Sequence, residues 1–216
     1  IRNGGIIIEL DSTETVEWLR GSEVRNSFIQ SLQAAVTFKE RFYHILVPFL
    51  PLTTNPEHTD TLRAIEEENG MNPNVIVNMR WIKPPNRRNP QQTCAHAMMV
   101  LSDPSAANSL LRDGLLVNSL KLHPRKDKKE PIRCAKCHLW GHMARDCSAP
   151  GDTCGTCGME HKTTDCPETN KKHCVSCNSS SHPSWSRECP EFKRRCRDID
   201  LKHAENNMPY FPTLEP

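Results

Sequence analysis

Three thiols and the imidazole of His142 fall within 14 residues in the stretch Cys134-x2-Cys137-x4-His142-x4-Cys147. A zinc ion takes four ligands in a tetrahedron, and thiolate sulfur and imidazole nitrogen suit it. The close cysteine pair offers two corners from one tight turn, and His142 and Cys147 return to close the other two. Four protein ligands leave no open position on the metal, so the spacing predicts a structural site, not a hydrolytic one. Two variants follow. Cys154-x2-Cys157-x3-His161-x4-Cys166 is one residue shorter in the middle, and Cys174-x2-Cys177-x4-His182-x6-Cys189 is two residues longer at the end. The three cysteine pairs begin at 134, 154 and 174, an internal period of 20 residues.

A different pairing competes with this one. Cys154 and Cys157 with Cys174 and Cys177, or Cys134 and Cys137 with Cys154 and Cys157, fit a zinc-ribbon spacing. Three pairs cannot all be matched two by two, and that scheme strands three histidines and three cysteines. Three separate sites use twelve ligands and leave only Cys94 and Cys196. The spacing therefore predicts three zinc ions. In the third site Cys196 or His173 stands as an alternative ligand. The first stretch is similar to the zinc knuckle of retroviral nucleocapsids, and Trp140 and Gly141 before the histidine also fit that pattern.

Composition agrees with metal-supported folding. The chain has 216 residues, 36% of them hydrophobic and 6% aromatic, below the roughly 45–50% apolar content of ordinary domains. Its longest apolar run, Ile45 to Leu52, carries Pro48 and Pro51 and falls far short of the roughly 20 residues that span a bilayer. No signal-peptide pattern stands at the start. The first residue is Ile1, so the sequence reads as a fragment. Secretion and membrane insertion are disfavoured. Thiols reserved for metal also argue for a reducing compartment.

The net charge of +2 hides two halves. Residues 1–124 hold 12 Lys+Arg against 13 Asp+Glu, and residues 125–197 hold 15 against 9. A clustered positive charge points to a polyanionic partner. Each three-Cys, one-His site with Zn²⁺ would carry −1, so three sites lower the second half from +6 to about +3. Binding then leans on local cations. These are Arg125, Lys126, Lys128, Lys129, Arg133 and Lys136 before and in the first knuckle, Arg145 within it, and Lys193, Arg194, Arg195 and Arg197 after the third. Trp140 and Trp185 offer flat faces for unpaired bases, a contact worth roughly 1–3 kcal/mol per base. Met143 and Met159 are placed to line the same surfaces or to fill small cores.

The first half alternates between strand and helix patterns. Gly4 to Leu10 and Ala34 to Lys39 read as strands. Between them Asp11, Ser12 and Glu14 mark a helix start, with Val16 and Leu19 on one face. Tyr43 to Phe49 reads as a buried strand, and Thr59 to Asn69 as a helix with Leu62 and Ile65 inward and Gly70 as its stop. Val75, Val77, Met79 and Trp81 alternate onto one face of a strand. Pro84 to Gln92 is a loop, where Arg87 and Arg88 are placed to grip phosphate. Cys94 to Leu101 is a strand. Asp103 and Pro104 start a helix that Gly114 ends, and Leu115 to Leu122 is a strand or short hairpin. From Tyr43 to Pro124 the order is β-α-β-β-α-β, the ferredoxin-like arrangement used by RNA-recognition motifs. The strand Cys94–Val100 carries no aromatic and does not match the RNP1 pattern. Tyr43 is either a base-stacking residue or core.

The predicted class is α+β. Residues 1–41 form a βαβ segment, residues 42–124 an RRM-like domain and residues 125–133 a basic linker. Knuckles follow at 134–147, 154–166 and 174–189, and a basic, then extended, tail at 190–216.

The whole order resembles the Gag-like protein from the first open reading frame of fungal LINE-type (non-LTR) retrotransposons. The segments that carry the likeness are GGIIIELDSTETVEWLR at the start, RWIKPPNRR in the middle, EPIRCAKCHLWGHMARDC at the first knuckle and MPYFPT near the end. The resemblance implies a cytoplasmic and nuclear protein that coats single-stranded RNA or single-stranded DNA, self-associates and chaperones annealing. It implies no membrane and no small-molecule substrate. Two other readings stand beside it: a zinc-knuckle adaptor gripping a protein partner, and a host RNA-processing factor. Enzyme motifs are missing. His203-Ala204-Glu205 has the H-x-E form of the zinc deaminases, but the cysteine pairs precede it and are used elsewhere.

Overall fold

The computed structural model describes residues 10–32, 41–168 and 170–213. The chain divides into two compact units. One takes in the chain up to Lys126 and again from Tyr210, and the other runs from Asp127 to Pro209. The fold is mixed α+β, with a small antiparallel sheet and five α-helices among the described residues.

The first unit opens with two helices, α1 (Thr13–Arg20) and α2 (Ser22–Ser31). Ser12 caps α1, its hydroxyl accepting from the Thr15 N–H at 3.2 Å. One helix was expected here, and Gly21 instead divides two. The strands expected at Gly4–Leu10 and Ala34–Lys39 lie outside the described residues, apart from Leu10.

The core follows in the order β1 (Tyr43–Pro51), α3 (Thr59–Glu68), β2 (Ile76–Trp81), β3 (Cys94–Leu101), α4 (Pro104–Asp113). A hairpin of β4 (Leu115–Val117) and β5 (Leu120–Leu122) leads to the short β6 (Arg125–Lys126). Four strands pair antiparallel in the order β2-β3-β1-β6. Alternation sends Tyr43, Ile45, Val47, Ala97, Met99 and Leu101 to one face, where Leu62 and Ile65 of α3 and Ala107 and Leu110 of α4 join them. Each fully buried large aliphatic contributes roughly 1.5–3 kcal/mol. Tyr43 belongs to this core, with its ring edge-on to Phe211 at 5.1 Å, so it is not a base platform.

The helix ends follow from chemistry legible in the sequence. Asp103 accepts from the N–H groups of Ser105 and Ala106 at 3.3 and 2.8 Å, and Gly114 ends α4 at φ +92°, a conformation that favours glycine. Asn118 and Ser119, both at positive φ, form the two-residue turn between β4 and β5. The expected alternation through Val75, Val77 and Met79 does not hold. The register slips between Ile76 and Asn78, so Ile76 is buried and Val77 is 45% exposed. A bulge adds one residue to one strand and turns later side chains by one place.

The tail is also more ordered than expected. Residues 190–202 form α5 (Pro190–Lys202), and Ala204–Asn206 make a further 3₁₀ turn. Phe211 returns to the first unit. Asn108 Oδ1 accepts from its N–H at 2.8 Å and Asn108 Nδ2 donates to its carbonyl at 2.9 Å, while Lys126 sits 4.7 Å from its ring centroid. The expected basic linker is thus divided: Arg125 and Lys126 are sheet residues opposite Leu46 and Ile45.

Candidate metal centres

Each knuckle begins with the same turn. The Cys134 N–H donates to the Leu139 carbonyl at 2.8 Å, and His138 N–H returns to Cys134 at 3.0 Å. Cys154 with Met159 and Gly158 repeats both bonds at 2.8 and 2.9 Å. Cys174 with Ser179 repeats the first at 2.7 Å. The residue after the second cysteine is left-handed in all three: His138 at φ 58°, Gly158 at 78° and Asn178 at 53°. There the chain folds back toward its third ligand, and glycine and asparagine take that conformation at least cost. Single 3₁₀ turns, Ala144–Asp146 and Thr163–Asp165, then deliver Cys147 and Cys166. In the third knuckle the last ligand, Cys189, stands at the start of α5.

These turns gather three donor sets: Cys134, Cys137, His142 and Cys147; Cys154, Cys157, His161 and Cys166; Cys174, Cys177, His182 and Cys189. Within each set all four ligand atoms lie within 4.8 Å of one another. Two thiolates about 2.3 Å from a tetrahedral zinc stand about 3.8 Å apart, and a thiolate and an imidazole nitrogen about 3.6 Å apart. The Cys174–Cys189 and Cys166–Cys157 sulfurs are 3.7 and 3.8 Å apart. The Cys–His Nε2 distances are 3.4, 3.6 and 3.4 Å in the three sets. The donors fit a tetrahedral ion. The ribbon pairing is not assembled, and neither Cys196 nor His173 joins the third set.

The thiols differ electrostatically. Burial opposes the charge on Cys134, but donation from the N–H groups of Cys137 and Lys136 overrides it and brings the thiol down to about 6. Cys154 falls to about 6 in the same way, against its burial, through Cys157 and Thr156. Burial, and then the neighbouring Cys134, push Cys137 up to about 11. One thiolate in each of the first two sites is therefore prepared for a cation.

The knuckles pack on one another. The Thr153 N–H donates to the Lys136 carbonyl at 2.9 Å, joining the second to the first, and His173 N–H to Thr156 at 2.7 Å joins the third to the second. Ser184 N–H reaches the Gly155 carbonyl at 2.7 Å, and Ser176 Oγ reaches the His138 carbonyl at 2.8 Å. A Cβ on Gly155 would stand 2.8 Å from His138 Cε1. None of these contacts belongs to a single knuckle's ligand pattern, so spacing alone could not show them.

Several expected nucleic-acid contacts are already occupied. Trp140 is half-buried and stacks on Phe192 of α5 with centroids 5.9 Å apart, and Arg133 and Arg195 lie 5.9 and 5.8 Å from its ring. Arg133 donates to the Ser184 carbonyl. Lys136 Nζ donates to the Ala149 carbonyl at 2.5 Å. Three cations of the basic run on α5 have acidic partners: Arg194 pairs with Glu191 and Asp198, Arg195 with Glu191, and Lys193 with Glu188, while Arg197 is exposed. Arg145 is exposed beside Asp146 at 3.4 Å. Lys128 is exposed, and Lys129 is held through its backbone by Asn206 at 2.8 and 3.1 Å. Trp185 keeps 56% exposure. In the first unit Arg87 is exposed, while Arg88 lies over Trp81 at 4.5 Å and donates to the Lys83 carbonyl.

The first unit also holds a group that sequence reading passed over. Phe49 sits in the bulge between Val47 and Leu50, at φ 55° and 64% exposed. His96 Nδ1 accepts its N–H at 3.3 Å, and the rings meet edge to face at 5.2 Å. The outward residues beside them are His44 and Leu46 on β1, Met98 and Val100 on β3, Asn78 and Arg80 on β2 and Arg125 on β6. None of these is acidic. An exposed phenylalanine at positive φ was the missing signal, and strand alternation alone cannot show it.

No protein-family model, curated protein or solved structure matches this chain.

No helix among the described residues is long and apolar enough to cross a membrane.

Proposed function

We propose that this chain is a single-stranded RNA-binding protein built on three zinc sites, of the Gag-like kind found in the first open reading frame of non-LTR retrotransposons. The observation that carries the reading is the set of three four-donor clusters packed against one another, with the cations Arg145 and Lys128 and the ring of Trp185 exposed around them. Closed four-ligand sites support a structural, non-enzymatic role for the metal. In that role Cys134, Cys154 and their partners would hold zinc, which fixes turns that have little apolar core of their own. Exposed Trp185, Arg145 and Lys128 remain to meet nucleic acid. The strand order β2-β3-β1-β6, crossed by α3 and α4, supports an RRM-like reading of the first unit. Its outward face, with Phe49, His96, Arg80 and Arg125 and, among the described strand residues, no carboxylate, favours a second contact with the strand.

A protein-binding adaptor would need an apolar docking patch instead of this mixture. The test is fluorescence anisotropy of a labelled single-stranded RNA with the zinc-loaded chain in a salt series, with duplex DNA as competitor. The expected result is salt-sensitive binding that prefers single strands, collapses in Cys137→Ser and weakens at least fivefold in Trp185→Ala. Absence of binding by a chain holding three zinc ions would overturn the RNA reading and leave the adaptor.

A further inference from the structure

Arg133 precedes the first ligand of knuckle 1 by one residue, yet its guanidinium is engaged with knuckle 3. Its Nη1 donates to the Ser184 carbonyl. Ser184 is itself buried and tied within that knuckle: its hydroxyl accepts from the Val175 N–H at 3.0 Å and donates to the His173 carbonyl at 3.3 Å. Ser184 lies in the segment between His182 and Cys189, the one that is two residues longer than its counterparts. The longer segment thus has a use, since it carries a carbonyl to the incoming guanidinium.

Each site has two buried and two half-buried ligands, but the third differs in which are buried. There they are the first and last, Cys174 and Cys189, in place of the first cysteine pair. Three thiolates, one imidazole and a divalent ion sum to −1, and a buried charge is costly without a partner. Arg133 is itself half-buried, and its guanidinium meets a carbonyl of the segment that ends in Cys189.

We propose that Arg133 is a positioning residue for the third metal site, holding the Cys174–Cys189 cluster in its metal-binding form through its charge and its bond to Ser184. It crosses from the segment entering knuckle 1, so the third site depends on the first knuckle's approach segment. This assignment rests on the zinc reading above. It gives Arg133 a task other than contact with RNA.

The test is zinc release from the full, zinc-loaded chain into a chromophoric chelator. Wild type is expected to release three equivalents. In Arg133→Ala one of the three is expected to leave at least tenfold faster, the range seen when a partner of a metal ligand is lost, with the other two unchanged. Arg133→Lys, which keeps the charge, is expected to release that ion more slowly than Arg133→Ala. In a Cys177→Ser background, which removes the third site, Arg133→Ala is expected to add no fast phase. ¹¹³Cd NMR of the cadmium-substituted chain gives a second readout, with one resonance moving and two staying. Unchanged release in Arg133→Ala would overturn the proposal. A fast phase that survives in Cys177→Ser would also overturn it, by moving the effect to knuckle 1. A wild-type chain lacking a third zinc would overturn the metal reading, and this proposal with it.

Discussion

The two units are held together by different physics. In the first, an antiparallel sheet buries Ile45, Val47, Met79, Met99 and Leu101 against two helices, and stability scales with apolar area removed from water. In the second, the buried groups are largely the ligand thiols, with Cys134, Cys154, Cys174 and Cys189 fully enclosed. Thiols pointed at one another are a poor core when neutral and a repulsive one when ionised. The described apolar core of the first unit needs no ion, whereas the three thiol clusters of the second have the geometry of metal sites.

Metal removal is the largest expected break in that comparison. Zinc contributes roughly 10–16 kcal/mol per site in knuckle peptides near neutral pH. A strong chelator should unfold residues 127–209 and leave the first unit folded, which ¹H–¹⁵N spectra would read as dispersed resonances surviving only from the first unit. Loss of both sets together would show that the first unit has no independent core. Acid acts in the same direction. Binding metal at the first knuckle requires Cys137 to give up a proton that it holds up to about 11, while Cys134 is already ionised above about 6. Affinity should therefore fall at least tenfold per pH unit on descending toward 6, and more steeply below it.

The converse break is Ile45→Ala, at the centre of β1 and fully buried. It should cost the first unit roughly 2–5 kcal/mol, while the chain still binds three zinc ions. A changed zinc count would mean that the two stabilities are not separate.

Much of the second unit could be read from spacing, because a ligand set is a local pattern. Gly114, Asp103 and Pro104 were legible for the same reason, since caps depend on one or two residues. What escaped was long-range or came from a shift of register. The bulge that exposes Val77 depends on how β2 meets β3. Glu66 accepts from the N–H groups of Ile76 and Asn74 at 2.6 and 3.0 Å, which no helix pattern could show. Phe192 covering Trp140 and Phe211 closing on Tyr43 join residues 52 and 168 positions apart. Trp140 and Arg133, two of the expected nucleic-acid contacts, were thus among the residues the fold had engaged.

A sharper test asks whether the knuckles act as one body or three. Gly155→Ala puts a methyl group against His138 Cε1 at 2.8 Å and Nε2 at 2.9 Å, far from any ligand of the first site in sequence. Gly155 has no positive φ to relieve, so the cost is packing alone, about 1–3 kcal/mol. Because His138 follows Cys137 directly, the first knuckle should release zinc faster although the substitution is in the second. Release confined to the second knuckle would show independent beads.

The smallest expected change in stability falls on Phe49, and its smallness is the point. A phenylalanine kept for packing costs roughly 3–5 kcal/mol on truncation. Phe49 instead sits mostly in solvent, at a φ that strains any residue with a Cβ, by about 1–3 kcal/mol. Phe49→Gly removes that strain and loses only the ring contact with His96, so the first unit's stability should stay within about 1 kcal/mol of wild type. If the ring is there to stack an unpaired base, RNA affinity should still fall at least fivefold, as loss of one such contact predicts. Unchanged affinity in Phe49→Gly with a matching thermal midpoint would remove the sheet face from the binding surface and leave the grip to the knuckles.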